Sequence, residues 1–442
     1  MNILLIMADE FAAHALTRVR STDEHFRTPH LDRLATSSTT FTQAYTPFPL
    51  CVPARSAMVT GRYPHQLGVI SNAKASPAGA EPTEEPGHGT NSLGHWFTAA
   101  GYDCAYAGKW HALQASATEA DGFTPIHPFG DEGLVQACST WLDGRKDTRP
   151  FFLVASFDDP HTICEYARSQ PMPYGNIPPV PVADAPALPA NFPPAPYSPE
   201  ALSMEQVAAA RVYGTNGFSP DEWRGYRHAY AALVERVDQR MGQLLERIDL
   251  ASTAVVLISD HGDGDASHAW NQKTALYQEC IKVPFMVHVP GQRAAVIDAP
   301  VPAVLGLLPT LCQVAGIPAP GGLAVPSVLE ATTAPVVVQT SFSDGAALPG
   351  AGTTGRALIL RNWKYVVYSW GRNREQLHNL DIDPGEQRNL AVERDHEPVL
   401  ESMRQELLDW ALTTGDTAFL KKLVLPKFAS ADQHREIFML PY

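Results

Sequence analysis

NILLIMADE, residues 2–10, is an apolar run that ends on two acids, and VVLISD, residues 255–260, repeats the pattern far downstream. An apolar run without polar alternation fits a strand covered on both faces, the situation of strands in a mostly parallel sheet. Asp9 and Asp260 then stand at equivalent strand exits, where open α/β sheets collect their ligands. Two parallel neighbours in one sheet would bring them together, and the acids Asp9 and Glu10 at one exit suggest a cation site.

Working outward, Cys104 to Ala107 and Phe151 to Phe157 read as further strands, the second ending at Asp158, Asp159 and His161. Phe41 to Tyr45 alternates as a half-buried strand. Thr28 followed by Pro29 starts a short helix, Ser92 to Ala100 forms another, and Trp223 to Ile248 has helical periodicity. In PLCVPARSAMVTGRYPHQ, residues 49–66, Pro53 is expected to open a helix and Gly61 to close it. Cys51 would then lie just outside the positive helix end, with Arg55 in the first turn. Residues 171–199 hold 11 prolines in 29 positions, too many for a regular core element, and suit an extended excursion that wraps the catalytic face.

A change of texture near residue 345 gives the domain expectation. Residues 1–345 form a catalytic α/β domain with a large, mostly parallel sheet flanked by helices. Residues 346–415 form a small antiparallel sheet with one helix, from ALILRNWKYVVYSW, the acidic turn DIDPGEQ and a helix over about Pro398 to Leu412. Residues 416–442 are too apolar for a free tail and are expected to dock on the body or to make an oligomer contact.

The 47 acidic and 33 basic residues give a net charge of -14, which disfavours non-specific nucleic-acid binding. Ile3 to Ala8 is too short for a secretory leader or a spanning helix, so a cytoplasmic protein without membrane contact is the expectation. Six cysteines with no CxxC pair read neither as a disulfide framework nor as a zinc cluster.

C-V-P-A-R from Cys51 to Arg55, continuing to M-V-T-G-R at 58–62, resembles the signature of type I sulfatases in the alkaline phosphatase superfamily. The resemblance extends to Asp9, to G-K-W-H at 108–111, to D-P-H at 159–161 and to S-D-H-G at 259–262 with His268 and Lys273 after it. It also covers L-H-N-L-D-I-D-P-G-E-Q-R-N-L at 377–390, and so runs from residue 1 to about 415. It implies that Cys51 is oxidised to formylglycine by a formylglycine-generating enzyme. The hydrated aldehyde would attack sulfur with one hydroxyl and expel sulfate with the other.

A single divalent metal is implied as well, calcium first, with magnesium and manganese as alternatives, held by Asp9, Glu10, Asp260, His261 and the residue at 51. Arg55 and Lys109 would position the nucleophile, His111 would take a proton, and His161 and Lys273 would face the sulfate and leaving group. Asn72 and His268 are expected at the substrate. Glu10 departs from the second aspartate of many sulfatases, as does the glutamine of phosphonate monoester and phosphodiester hydrolases. The expected reaction is hydrolysis of a small aryl or sugar sulfate ester, with phosphonate or phosphate diester hydrolysis as the alternative.

Overall fold

The computed structural model describes residues 1–16, 25–72, 92–112, 121–146, 148–330, 333–342 and 352–439. Eight strands build the main sheet: β1 (Asn2–Asp9), β2 (Thr39–Phe41), β3 (Asp103–Gly108), β4 (Thr124–His127), β5 (Phe151–Pro160), β6 (Thr253–Ser259), β7 (Phe285–His288) and β8 (Ala295–Ile297). Their spatial order is β4-β3-β5-β1-β6-β7-β2-β8, and β7 alone runs against the others. β1 and β6 are parallel neighbours with Met7 opposite Ile258 and Ala8 opposite Ser259, so Asp9 and Asp260 leave the sheet side by side.

The unbroken apolar run of β1 has a direct cause in packing, because the strand is covered on both faces. Leu4, Ile6 and Ala8 join one core with helices α1 (Pro29–Ala35), α4 (Leu134–Gly144), α5 (Ile163–Ala167) and α7 (Pro220–Leu245). Ile3, Leu5 and Met7 point the other way, into a second core with α2 (Cys51–Thr60), α3 (Leu93–Ala99) and α9 (Leu307–Ala315). The long α7 starts with Pro220 and a reciprocal cap. Ser219 Oγ accepts the Glu222 N–H at 3.3 Å, and Glu222 Oε2 accepts the Ser219 N–H at 2.6 Å. The remaining main-domain helices are α6 (Glu200–Val212) and the single turn α8 (Gln278–Ile281).

A second sheet has the order β12-β11-β10-β9, all antiparallel, from β9 (Val336–Ser341), β10 (Thr354–Leu360), β11 (Trp363–Tyr368) and β12 (Glu375–Asn379). Its first strand lies upstream of residue 345, so the small sheet takes in sequence that the texture change did not mark. One face packs on α10 (Glu397–Thr414), and the other packs on Trp270, Tyr277 and Cys280 of the main domain.

The tail folds onto the same body. Across α11 (Thr417–Leu420) and α12 (Ala431–Phe438) with the segment between them, Phe419, Leu420, Leu423 and Ile437 are buried among Leu400, Met403 and Leu407. Asp416 receives a two-pronged bond from Arg356, and Arg374 donates to the carbonyls of Lys422 and Leu423. These side chains are buried within the chain, while Phe428 and Met439 of the same tail stay exposed at 88% and 79%.

Two local expectations are corrected. The half-buried strand is Thr39–Phe41, and beyond it Ala44 and Tyr45 make only single bridges, because the chain turns there toward α2. α2 begins at Cys51 itself, with Pro53 in its first turn, since Leu50 is the last residue with extended backbone. Gly61 closes the helix at φ +65°, as its position implied. Among the described residues no helix is long and apolar enough to cross a membrane.

Candidate active site

Cys51 is wholly buried at the first position of α2, pointed at the exits of β1 and β6. Its Sγ lies 3.3 Å from His261 Nε2, 3.7 Å from Asp9 Oδ1 and 3.4 Å from Lys273 Nζ. Burial and Asp9 both push the thiol pKa up. Lys273, His261 and a hydrogen bond from His111 outweigh them and hold it well below the usual thiol range. The sulfur therefore stands in a cationic pocket at a helix N-terminus, where backbone amides add to the positive field.

Arg55, one turn into α2, ties the two aspartates together. Its Nε donates to Asp260 Oδ2 at 2.7 Å, one terminal nitrogen donates to Asp9 Oδ2 at 3.1 Å, and the other donates to the Lys109 carbonyl at 2.8 Å and Ser156 Oγ at 3.0 Å. Asp9 Oδ2 also receives Lys109 Nζ at 2.9 Å, and Asp260 Oδ1 takes the N–H groups of Glu10 and His261. Burial opposes charge on Lys109, but Asp158 and Asp9 more than offset it and keep the ammonium protonated. Lys109 reaches this place because Gly108 turns the chain at φ +91°. A Cβ there would sit 2.1 Å from the Ser156 carbonyl oxygen.

Ligand atoms of Asp9, Cys51, Asp260 and His261 all lie within 4.8 Å of one another, and all four residues are buried. His261 Nδ1 sits 3.0 Å from the Gly262 carbonyl and donates to it, so Nε2 is the ring atom that faces the cluster. Asp9 turns Oδ1 inward while Oδ2 is occupied by Lys109 and Arg55. Two carboxylates, one imidazole and the atom at residue 51 form a mostly hard donor set with supporting bonds behind it. The set fits a single divalent cation.

Glu10, expected among the metal ligands, has its carboxylate outside this group of four. The backbone turns at Glu10 with φ +65° and carries the side chain to Lys273, with Oε2 at 3.2 Å from Nζ. There it forms a separate cluster with His161, 3.8 Å away, and Cys164, 3.7 Å away. His268, expected at the substrate, has its contacts toward the second sheet. Its ring is buried, stacked on Tyr277 at 3.8 Å and bonded to Gln387, in a group with Glu279 and Glu386 at the junction with the small sheet. These contacts place it against the scaffold beneath the second sheet. Asn72 spends its Oδ1 on the Val52 N–H at 3.0 Å, so it steadies the start of α2.

His111 and His161 do come to the site, the first beside Cys51 and the second partly exposed between Glu10 and Asp158. Three neighbours escaped the motif reading. Asp158 binds Lys109 Nζ at 2.9 Å, Ser156 accepts from Arg55, and Cys164 faces Glu10. Asp158 shares the signal of an acid at the exit of an apolar run, whereas Cys164 carries none. The Pro-rich passage reaches the same place, where the Tyr174 hydroxyl donates to Asp158 Oδ2 at 3.1 Å. Most of the 71–88 loop lies outside the described residues.

A nucleophile at a helix start, facing two carboxylates and an imidazole across the exits of parallel strands, defines a metal-assisted ester hydrolase. The Sulfatase family matches residues 1–317, and the chain belongs to that family, the type I formylglycine-dependent sulfatases of the alkaline phosphatase superfamily. It is 28% identical over 94% of its length to a Delta 4,5-hexuronate-2-O-sulfatase of Bacteroides thetaiotaomicron, 89% of which is covered. It is 24% identical over 94% of its length to arylsulfatase K of Danio rerio, 88% of which is covered. A solved 2-O GAG sulfatase superposes with a TM-score of 0.80 at 26% identity, over 96% of this chain and 94% of that one. The phosphonate monoester hydrolase of Agrobacterium radiobacter shares the fold, with a TM-score of 0.72 at 18% identity over 93% of this chain and 96% of that one.

Proposed function

We propose that the chain, matured to formylglycine at Cys51, hydrolyses a sulfate monoester of a sugar with one divalent cation, calcium first, held by Asp9, Asp260, His261 and residue 51. The observation that carries this is the convergence of those four residues within 4.8 Å, with the charged amines of Lys109 and Lys273 beside them. The sulfur of Cys51 stands where the oxygens of the matured residue would be. When formed, the hydrated aldehyde supplies an oxygen nucleophile that can later release sulfate. The cation, when bound, polarises sulfate oxygens.

The chain's own residues do the rest. Arg55 fixes the outer oxygens of Asp9 and Asp260 so that the inner edge of the site stays in place. Lys109 and Lys273 supply fixed positive charge where the anion must sit, already oriented by Asp9, Asp158 and Glu10. His111, next to residue 51, takes its proton, and the partly exposed His161 faces the leaving oxygen. The sugar assignment follows the relatives, one acting on a 2-O-sulfated hexuronate and another named a 2-O GAG sulfatase. Maturation needs a formylglycine-generating enzyme as partner.

Turnover of a 2-O-sulfated unsaturated uronide, 4-nitrophenyl sulfate and a matching phenyl phosphonate monoester tests the assignment. The uronide should have the highest kcat/KM. Faster phosphonate turnover would replace the sulfate reading with the diester one.

A further inference from the structure

Phe129 is 62% exposed, yet its ring centroid lies 5.6 Å from Nζ of Lys109, an amine that is itself buried between Asp9 and Asp158. The ring thus stands in water directly beside a group that orients the sulfate. A single exposed phenylalanine says nothing alone, since folded proteins show many apolar surface atoms. What sets this one apart is the rigidity of its support.

The His127 ring sits between the carbonyls of Pro128 at 2.8 Å and Glu132 at 2.9 Å, bracketing the loop that carries Phe129. Asp131, buried, accepts the N–H groups of Asp158 at 2.6 Å and Asp159 at 3.2 Å and a guanidinium N–H of Arg240 at 2.9 Å. The loop is therefore bolted to the same β5 exit that carries Asp158 toward Lys109. At Gly130, φ +116°, an added Cβ would stand 3.4 Å from the Tyr174 hydroxyl, which bonds that same Asp158. An apolar ring carried into water on a loop fixed at its neighbours exposes surface whose burial a ligand face would make favourable.

We propose that Phe129 is a specificity-determining platform on which the ring of the substrate's leaving group stacks, a deepening that rests on the sugar sulfate reading above. A pyranose presents a face of C–H groups, and an aromatic face accepts it without needing charge. The sulfate joins the ring through one oxygen. An anion seated by Lys109 and Lys273 therefore leaves its ring within a few ångströms of the Lys109 ammonium, the distance at which Phe129 stands. An acyclic leaving group could not cover the platform.

The test uses the matured enzyme, with conversion at residue 51 verified by peptide mass, and the variants Phe129→Ala, Phe129→Leu and Phe129→Tyr. KM for 4-nitrophenyl sulfate and for a sugar sulfate should rise about tenfold in Phe129→Ala and by less in Phe129→Leu, with kcat changed little. In Phe129→Tyr it should stay within about twofold, because the stacking face is retained. The inhibition constant of inorganic sulfate, a probe without a ring, should not move in any variant. An unchanged KM in Phe129→Ala overturns the platform, and so does a sulfate inhibition constant that rises in step with KM. Wild-type enzyme that is converted but turns over no sulfate ester overturns the parent reading instead.

Discussion

Replacing Asp260 by Asn alters one atom in the most crowded part of the site, and its cost can be worked from the contacts. Asp260 Oδ2 accepts Arg55 Nε at 2.7 Å, while Oδ1 accepts the N–H groups of Glu10 at 3.2 Å and His261 at 2.9 Å. An amide can keep one oxygen for the backbone donors, but its NH2 then meets the Arg55 N–H donor to donor. Removing the charge also leaves Arg55 with only Asp9 as a carboxylate partner in a wholly buried position. Because Asp9 still faces Arg55, and because burial and Asp9 already push the Asp260 pKa up, the cost falls below the about 3–5 kcal/mol of a fully broken buried pair. Protein with unconverted Cys51 should therefore show a smaller unfolding free energy in denaturant titration, and the double variant Arg55→Met/Asp260→Asn should lose less than the sum of the two single variants. The same substitution removes a carboxylate from the cation cluster, so metal per protein after dialysis should fall together with kcat. Equal metal content in wild type and Asp260→Asn, or fully additive losses in the cycle, would refute the assignment of this carboxylate to both Arg55 and the cation.

Four shorter expectations follow from other contacts. Active protein should show a peptide mass lower by about 18 Da at residue 51, and Cys51→Ser should lose nearly all turnover because serine cannot expel sulfate once esterified. Glu10→Gln should leave metal content unchanged and weaken sulfate inhibition severalfold, since Glu10 orients Lys273 and stands apart from the cation cluster; metal lost in that variant would return Glu10 to the ligand set. Truncation after Gly415 removes Phe419, Leu420, Leu423 and Ile437 from the core of the small domain, a burial worth roughly 1.5–3 kcal/mol per side chain at most, and light scattering should show aggregation rather than smaller assemblies. Asp383, which takes the N–H groups of Gln387 and Arg388, has its pKa drawn down to about 2: burial works the other way, but the His378 contact and these amides win. A depressed carboxylate stabilises the fold above its unfolded pKa, so Asp383→Asn should be less stable near neutral pH. The gap should close as pH falls from about 4 through 2, read by denaturant titration.

Where one residue's environment decided the outcome, the sequence was a good guide. The runs at 3–8 and 255–258 are apolar because both faces are covered, and that demand leaves a mark that survives without knowledge of any neighbour. Asp9, Asp260 and His261 were legible for the same reason, standing at the ends of such runs. The contacts of Glu10 and His268 were not legible, because direction, not composition, sets them. One backbone angle of +65° sends Glu10 to Lys273, and Tyr277 draws His268 under the small sheet. The tail shows a third case. LKKLVL advertises burial but not the address, which is fixed by Arg356 and Arg374 reaching across from another sheet. Pattern therefore identifies which side chains must leave water, while the partner that receives them is a property of topology. For this enzyme the division has a chemical consequence. The cluster that holds the nucleophile grows from two strand exits and was readable, whereas the surface that selects the leaving group grows from loops such as 128–132, whose placement depends on Asp131 meeting the far end of β5.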